Sequence, residues 1–201
     1  MSVSEQLFAE RGVDGVSLSE INRAAEQGNN SALHYHFGSK DGLFEAIREK
    51  HMKAIRAHAV QSFARLPDDP EPREVLAALV EPIAARLEDP DGGAYYLRIL
   101  SQAIANPSQS VFSFSPRDSH ESFRPFAPLL WNAAGHLPPA VRAQRLELMT
   151  SMLFVGLAAI AVDEQTVDSC KDDREMLVTG LVDTLTGIVL APSSDAATPL
   201  P

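Results

Sequence analysis

Residues 29–47 read NNSALHYHFGSKDGLFEAI. Two histidines flank a tyrosine, a phenylalanine and a glycine follow, and Ser39 and Lys40 precede a new apolar run. His34 and His36 are two positions apart, so on a helix they diverge by about 200° and cannot share a metal ion. Gly38-Ser39-Lys40 lacks the upstream glycine spacing of a phosphate-binding loop. What remains is a short helix beginning at Asn29, an amide-capped start, and ending near Tyr35. A long helix follows it, capped by Ser39 and favoured by the negative charge of Asp41 at its N-terminal end.

The flanking sequence is helical as well. In VSEQLFAERG, Leu7 and Phe8 point inward and Gly12 supplies the C-terminal cap. In SLSEINRAAEQG, Ser17 and Glu20 have the spacing of a capping box, and Ile21, Ala24 and Ala25 share a face. Leu43, Phe44, Ile47, Ile55 and Phe63 give the long helix its buried stripe, while His51 and His58 are expected to face the head or solvent. Beyond the proline- and acid-rich joint PDDPEPREV, helical patterns recur near 73–87, 94–105, 119–134, 140–162 and 172–190. The segment 106–118 is a Ser/Pro-rich loop by composition, and 191–201 reads as a disordered tail. The expected fold class is all-α: a three-helix helix-turn-helix head over residues 1–45, and a larger helical domain over 46–190.

Charge and composition narrow the function. Of 201 residues, 45% are hydrophobic, enough for a real core, and the net charge is −10. Residues 1–56 carry 7 Lys/Arg against 8 Asp/Glu, and the remainder 10 against 19. An anionic polymer is therefore expected to meet the nearly neutral N-terminal part. Cys170 is the single cysteine, which excludes an intrachain disulfide and suits a reducing compartment. The chain shows no basic-then-apolar leader, and the oily run 148–162 is shorter than the roughly 20 residues a bilayer requires. A cytoplasmic protein with no membrane partner is expected. Catalytic signatures are missing: there is no His-Glu-x-x-His, no Gly-x-Ser-x-Gly elbow, and Cys170 lies in the acidic setting VDSCKDD. No catalytic residue, cofactor or metal is expected. A helical scaffold that binds no DNA is the alternative to a DNA-binding role.

The stretch LFAERGVDGVSLSEINRAA, followed by NNSALHYHFGSKDGLFEAI, resembles the N-terminal region of the TetR-type bacterial transcriptional regulators. The likeness covers residues 7–47 and is carried by Leu7, Phe8, Gly12, Leu18, Ile21, Leu33, Tyr35, Phe37, Ser39, Lys40, Leu43 and Phe44. It implies a homodimer that binds double-stranded DNA through its first three helices. It also implies a body that dimerises through its last two long helices, encloses a small-molecule effector and, in most members, represses. By the same likeness Asn29, Asn30, Ser31 and Ala32 would face base edges, where amides can pair with adenine and Ala32 with a thymine methyl. His34, Tyr35, His36 and Lys40 would contact phosphates, Lys40 with the help of free backbone N–H groups at a helix start. Two departures stand out. The turn is one residue longer than usual, with Glu26 where glycine is common, and no Lys or Arg precedes Arg11, where relatives carry a basic arm.

In the body, Tyr95, Tyr96 and Ile99, then Phe123, Phe126, Leu130 and Trp131, then Met149 and Met152 are candidates for lining an effector pocket, a set suited to an apolar or aromatic ligand. Leu153, Gly156 and Leu157, with Leu177, Leu181 and Leu185, are the expected dimer face, completing a four-helix bundle across two subunits.

Overall fold

The computed structural model describes residues 2–25, 35–105, 124–166 and 171–193. Its described elements are α1 (Ser2–Arg11), α2 (Leu18–Ala24), α3 (Lys40–Ala64), α4 (Pro72–Ala84), α5 (Gly93–Ala105), a 3₁₀ turn (Arg124–Phe126), α6 (Ala127–Ala133), α7 (Pro139–Thr166) and α8 (Lys171–Leu190). The described residues contain no strand, so the fold is all-α, as expected.

Local chemistry sets the helix ends. Gly12 takes φ +77° just past α1, and its N–H donates to Phe8 O at 2.9 Å. At the start of α2 the capping box closes in both directions: the Glu20 N–H donates to Ser17 Oγ and the Ser17 N–H to Glu20 Oε2. Those hydrogen bonds from Ser17, with Arg11 at 3.2 Å, hold the Glu20 carboxyl below its usual range. Ser39 caps α3 by accepting from the Gly42 N–H at 3.0 Å. At the far end of the chain, Arg145 of α7 donates to Ile188 O and Ala191 O, closing the orphan carbonyls of α8.

Packing joins head and body through a single core. Leu7, Phe8, Val16, Ile21, Leu43, Phe44 and Ile47 are buried in a cluster continuous with Ile55, Leu76, Leu97, Leu100, Leu153 and Leu185. The helix α3, 25 residues and about 37 Å long, runs through both parts, and its expected stripe is buried throughout. Within the body, α7 packs against α5 and α8, and α4 against α3 and α8.

Two local expectations differ. In α2, Ala24 is exposed and Asn22 is buried beside Ile21; with seven residues, α2 is too short for its apolar periodicity to fix a face. His51 does face the head, but it is wholly buried, against a carboxylate of α1.

Candidate nucleic-acid interface

The site begins where the chain turns into α3. Residues 35–37 are helical, and Gly38 then takes φ +71°. This left-handed residue lets the backbone reverse at no Cβ cost. The reversal brings the Phe37 carbonyl onto α3 so closely that a Cβ on Gly42 would lie 2.0 Å from Phe37 O. Gly42 therefore sets how residues 35–37 sit on α3. Sequence reading passed it over, since a glycine in the first turn of a helix looks like mere tolerance.

The exposed end of this turn carries the polar rings. Tyr35 is 85% exposed, and His36 is exposed and meets it edge-on at 5.4 Å. Phe37 is half-buried against the head core. Lys40 is half-buried, and its ammonium donates to Asp14 O at 3.5 Å, at the long limit of a hydrogen bond. That contact leans the side chain over the loop between α1 and α2 and leaves two N–H donors for an outside acceptor. Asn29, Asn30, Ser31, Ala32 and His34 lie outside the described residues. Of the expected contact residues, Tyr35, His36 and Lys40 are thus brought to one end of the head.

The body candidates separate into groups. Tyr96 is fully buried and stacks on His51 at 4.4 Å, at the seam between head and body. Burial raises its phenol well above the ordinary range. Phe126 stacks on Phe63 at 3.9 Å. Ile99 and Met149 are buried, and Tyr95 and Leu130 are half-buried against the same core. Trp131 is 38% exposed and lies under the Arg142 guanidinium, 4.6 Å from the ring centre. Met152 is exposed on the outer side of α7, away from the core that holds Met149. Phe123 lies outside the described residues.

The expected dimer face is placed differently as well. Leu153, Leu157, Leu181 and Leu185 are buried inside the subunit, where α7 meets α8. Leu181 sits on Gly156 so closely that a Cβ there would lie 2.6 Å from its Cδ1. Only Leu177 of the six is exposed. The outer side of α7 instead presents Leu148, Met152, Val155, Ala159 and Val162, spaced by fours and threes, and α8 presents Met176, Leu177 and Leu190. Gly180 and Gly187 open to space on that side. The reason is that α7 is apolar nearly all round. The most apolar 18-residue window within Pro139–Val162 has a mean hydropathy of 1.7, and only 39% of that window is buried in the subunit. Periodicity cannot choose between two oily faces.

Among the described residues no group of three or more His, Cys, Asp or Glu side chains is placed to hold a metal ion.

An exposed aromatic and basic turn on a small helical head, continuous with a larger helical body, is the build of a DNA-binding regulator. Residues 1–47 match the family described as bacterial regulatory proteins, tetR family, and residues 77–187 match the tetracyclin repressor-like C-terminal domain. The chain belongs to the tetR family: it is a DNA-binding transcriptional regulator, and its domains are regulatory modules rather than catalysts. The fold is similar to the crystal structure titled "Probable transcriptional regulatory protein RHA5900", with a TM-score of 0.55, 15% identity and 96% of each chain covered. No curated protein matches the sequence.

Proposed function

We propose that this regulator acts as a homodimer that binds a palindromic operator and represses, and that a small apolar or aromatic effector releases it. The observation that carries the reading is the outer apolar stripe of α7 and α8. Side chains at 148, 152, 155, 159 and 162 repeat as the seam of a helix bundle does. Two copies related by a two-fold axis would cover each other's stripe and form four helices in contact. A dimer carries two heads, and two-fold heads call for a two-fold site on the duplex.

In each head, residues 29–32 are proposed as readers of base edges, with His34, Tyr35, His36 and Lys40 on the phosphates. The net charge of −9 over residues 57–201 keeps the body off DNA, so binding rests on few phosphate contacts and on specific readout. For the effector, the inward-facing Tyr95, Ile99, Phe126, Leu130 and Met149 are the residues to consider.

Selection of bound sequences from a random duplex pool tests the reading. A recovered palindrome supports it; recovery of nothing at low salt refutes it. With that operator, Lys40→Ala should weaken binding evenly across sequence variants. It should also reduce the slope of log affinity against log salt by about one per head. A loss confined to one base position would instead make Lys40 a base reader.

A further inference from the structure

We propose that Glu5 is a positioning residue that fastens the DNA-reading head to the body: its carboxylate, held by Lys50 and His51 and seated on Gly92, makes α1 move with the N-terminal end of α5. The purpose assigned to this latch rests on the regulator reading; its geometry does not.

Glu5 lies on α1 and is completely buried. A carboxylate in that position is costly unless it is paired. Its Oε1 accepts from Lys50 Nζ at 3.0 Å and from His51 Nε2 at 2.9 Å. Both donors belong to α3. The third wall is the turn before α5. Gly92 takes φ +86°, and a Cβ there would lie 2.1 Å from Glu5 Oε2. Lys50 reaches on to the same turn, pairing with the Asp91 carboxylate at 3.0 Å and donating to the Asp91 carbonyl. Burial pulls the Lys50 pKa down, but the hydrogen bonds with Asp91 and Glu5 outweigh it and leave the ammonium more firmly protonated than a free lysine. On the other side of the His51 ring, Nδ1 lies 3.9 Å from the Asp89 carboxylate, which Arg86 holds at 2.9 Å. Tyr96, in the first turn of α5, stacks on the ring face. Head, long helix and body thus meet around one carboxylate.

A second fastening lies further along. The Ala9 carbonyl of α1 accepts from Gln102 Nε2 at 2.8 Å and from Arg98 at 3.5 Å. So α1 is tied to both ends of α5, while the inner face of α5 carries Ile99 and Leu100 into the body core. A displacement of α5 then reaches the head directly through α1, in addition to any bending of α3. A buried ion pair is weak evidence of net stability; the role assigned to this one is to fix the arrangement of the three elements it joins.

Amide hydrogen exchange of the full-length protein, without DNA, tests this. Glu5→Gln keeps the shape and removes the charge. Exchange should accelerate about tenfold or more, together, in residues 2–11 and 89–97, with 148–162 and 177–189 unchanged. Gly92→Ala, a change in the body, lowers global stability as well, and should accelerate exchange in residues 2–11 more than in 148–162 and 177–189. Imidazole ¹⁵N shifts give a second readout: the wild type should hold the Nε2–H tautomer of His51, and Glu5→Gln should release it. Acceleration spread evenly over all helices would make Glu5 a structural residue only and overturn the proposal, as would no change. Because no duplex is present, an exchange result in favour stands even if operator selection fails, and the two readings fail separately.

Discussion

Val155→Glu should turn the dimer proposed above into monomers. Val155 is 46% exposed at the middle of the outer stripe of α7, and in a two-fold arrangement the new carboxylate would meet its own copy or that copy's apolar surface. Burying an unpaired charge there should cost roughly 4 kcal/mol, which raises the dimer dissociation constant about a thousandfold. Sedimentation velocity at micromolar concentration should show the change, and operator binding should fall with it because one head alone holds the duplex weakly. The subunit should stay folded, as the side chain points away from its core. Leu181→Glu is the contrasting case. That side chain is buried against Gly156, so the substitution should lower the thermal midpoint of the subunit itself. If Val155→Glu sediments as a dimer, the stripe is not the interface.

Gly92→Ala should destabilise the subunit strongly. Its left-handed φ costs about 1–3 kcal/mol with a side chain present, and the new Cβ collides with a buried, doubly paired carboxylate. Displacing that carboxylate adds the cost of a broken buried pair, bringing the total to about 4–8 kcal/mol. Denaturant unfolding measures it. The cause can be isolated by a cycle: in a Glu5→Ala background the collision is absent, so Gly92→Ala should then cost only the backbone strain. A coupling below about 1 kcal/mol between the two sites would mean that the turn relaxes around the new methyl.

How far the sequence could be read depended on the range of the interaction. Ser17 with Glu20, Ser39 with Gly42, and Gly12 with Phe8 act within four residues, and those helix ends were legible. The buried stripe of α3 was legible because its outer face is charged, with Glu45, Glu49 and Arg56 exposed or half-exposed around it. The contacts that set the site span longer distances or use no side chain. His51 and Glu5 are 46 residues apart, and an acid at position 5 looks like any first-turn carboxylate until its partners are brought to it. Gly42 is shaped by a backbone carbonyl, which leaves no mark in residue type. On α7 and α8 the apolar pattern was clear and its direction was not, since the subunit core and the outer stripe draw on the same residue types.

The shared core has a practical corollary for anyone grafting recognition heads between regulators. A splice made at residue 47, where the family likeness of the head ends, would cut α3 in its second turn. It would divide the buried cluster that Phe44 and Ile47 share with the body, and separate Glu5 from Lys50 and His51. The natural seam for a chimera lies after Ala64, so that a transplanted head brings its whole long helix, together with a matching glycine at the receiving turn.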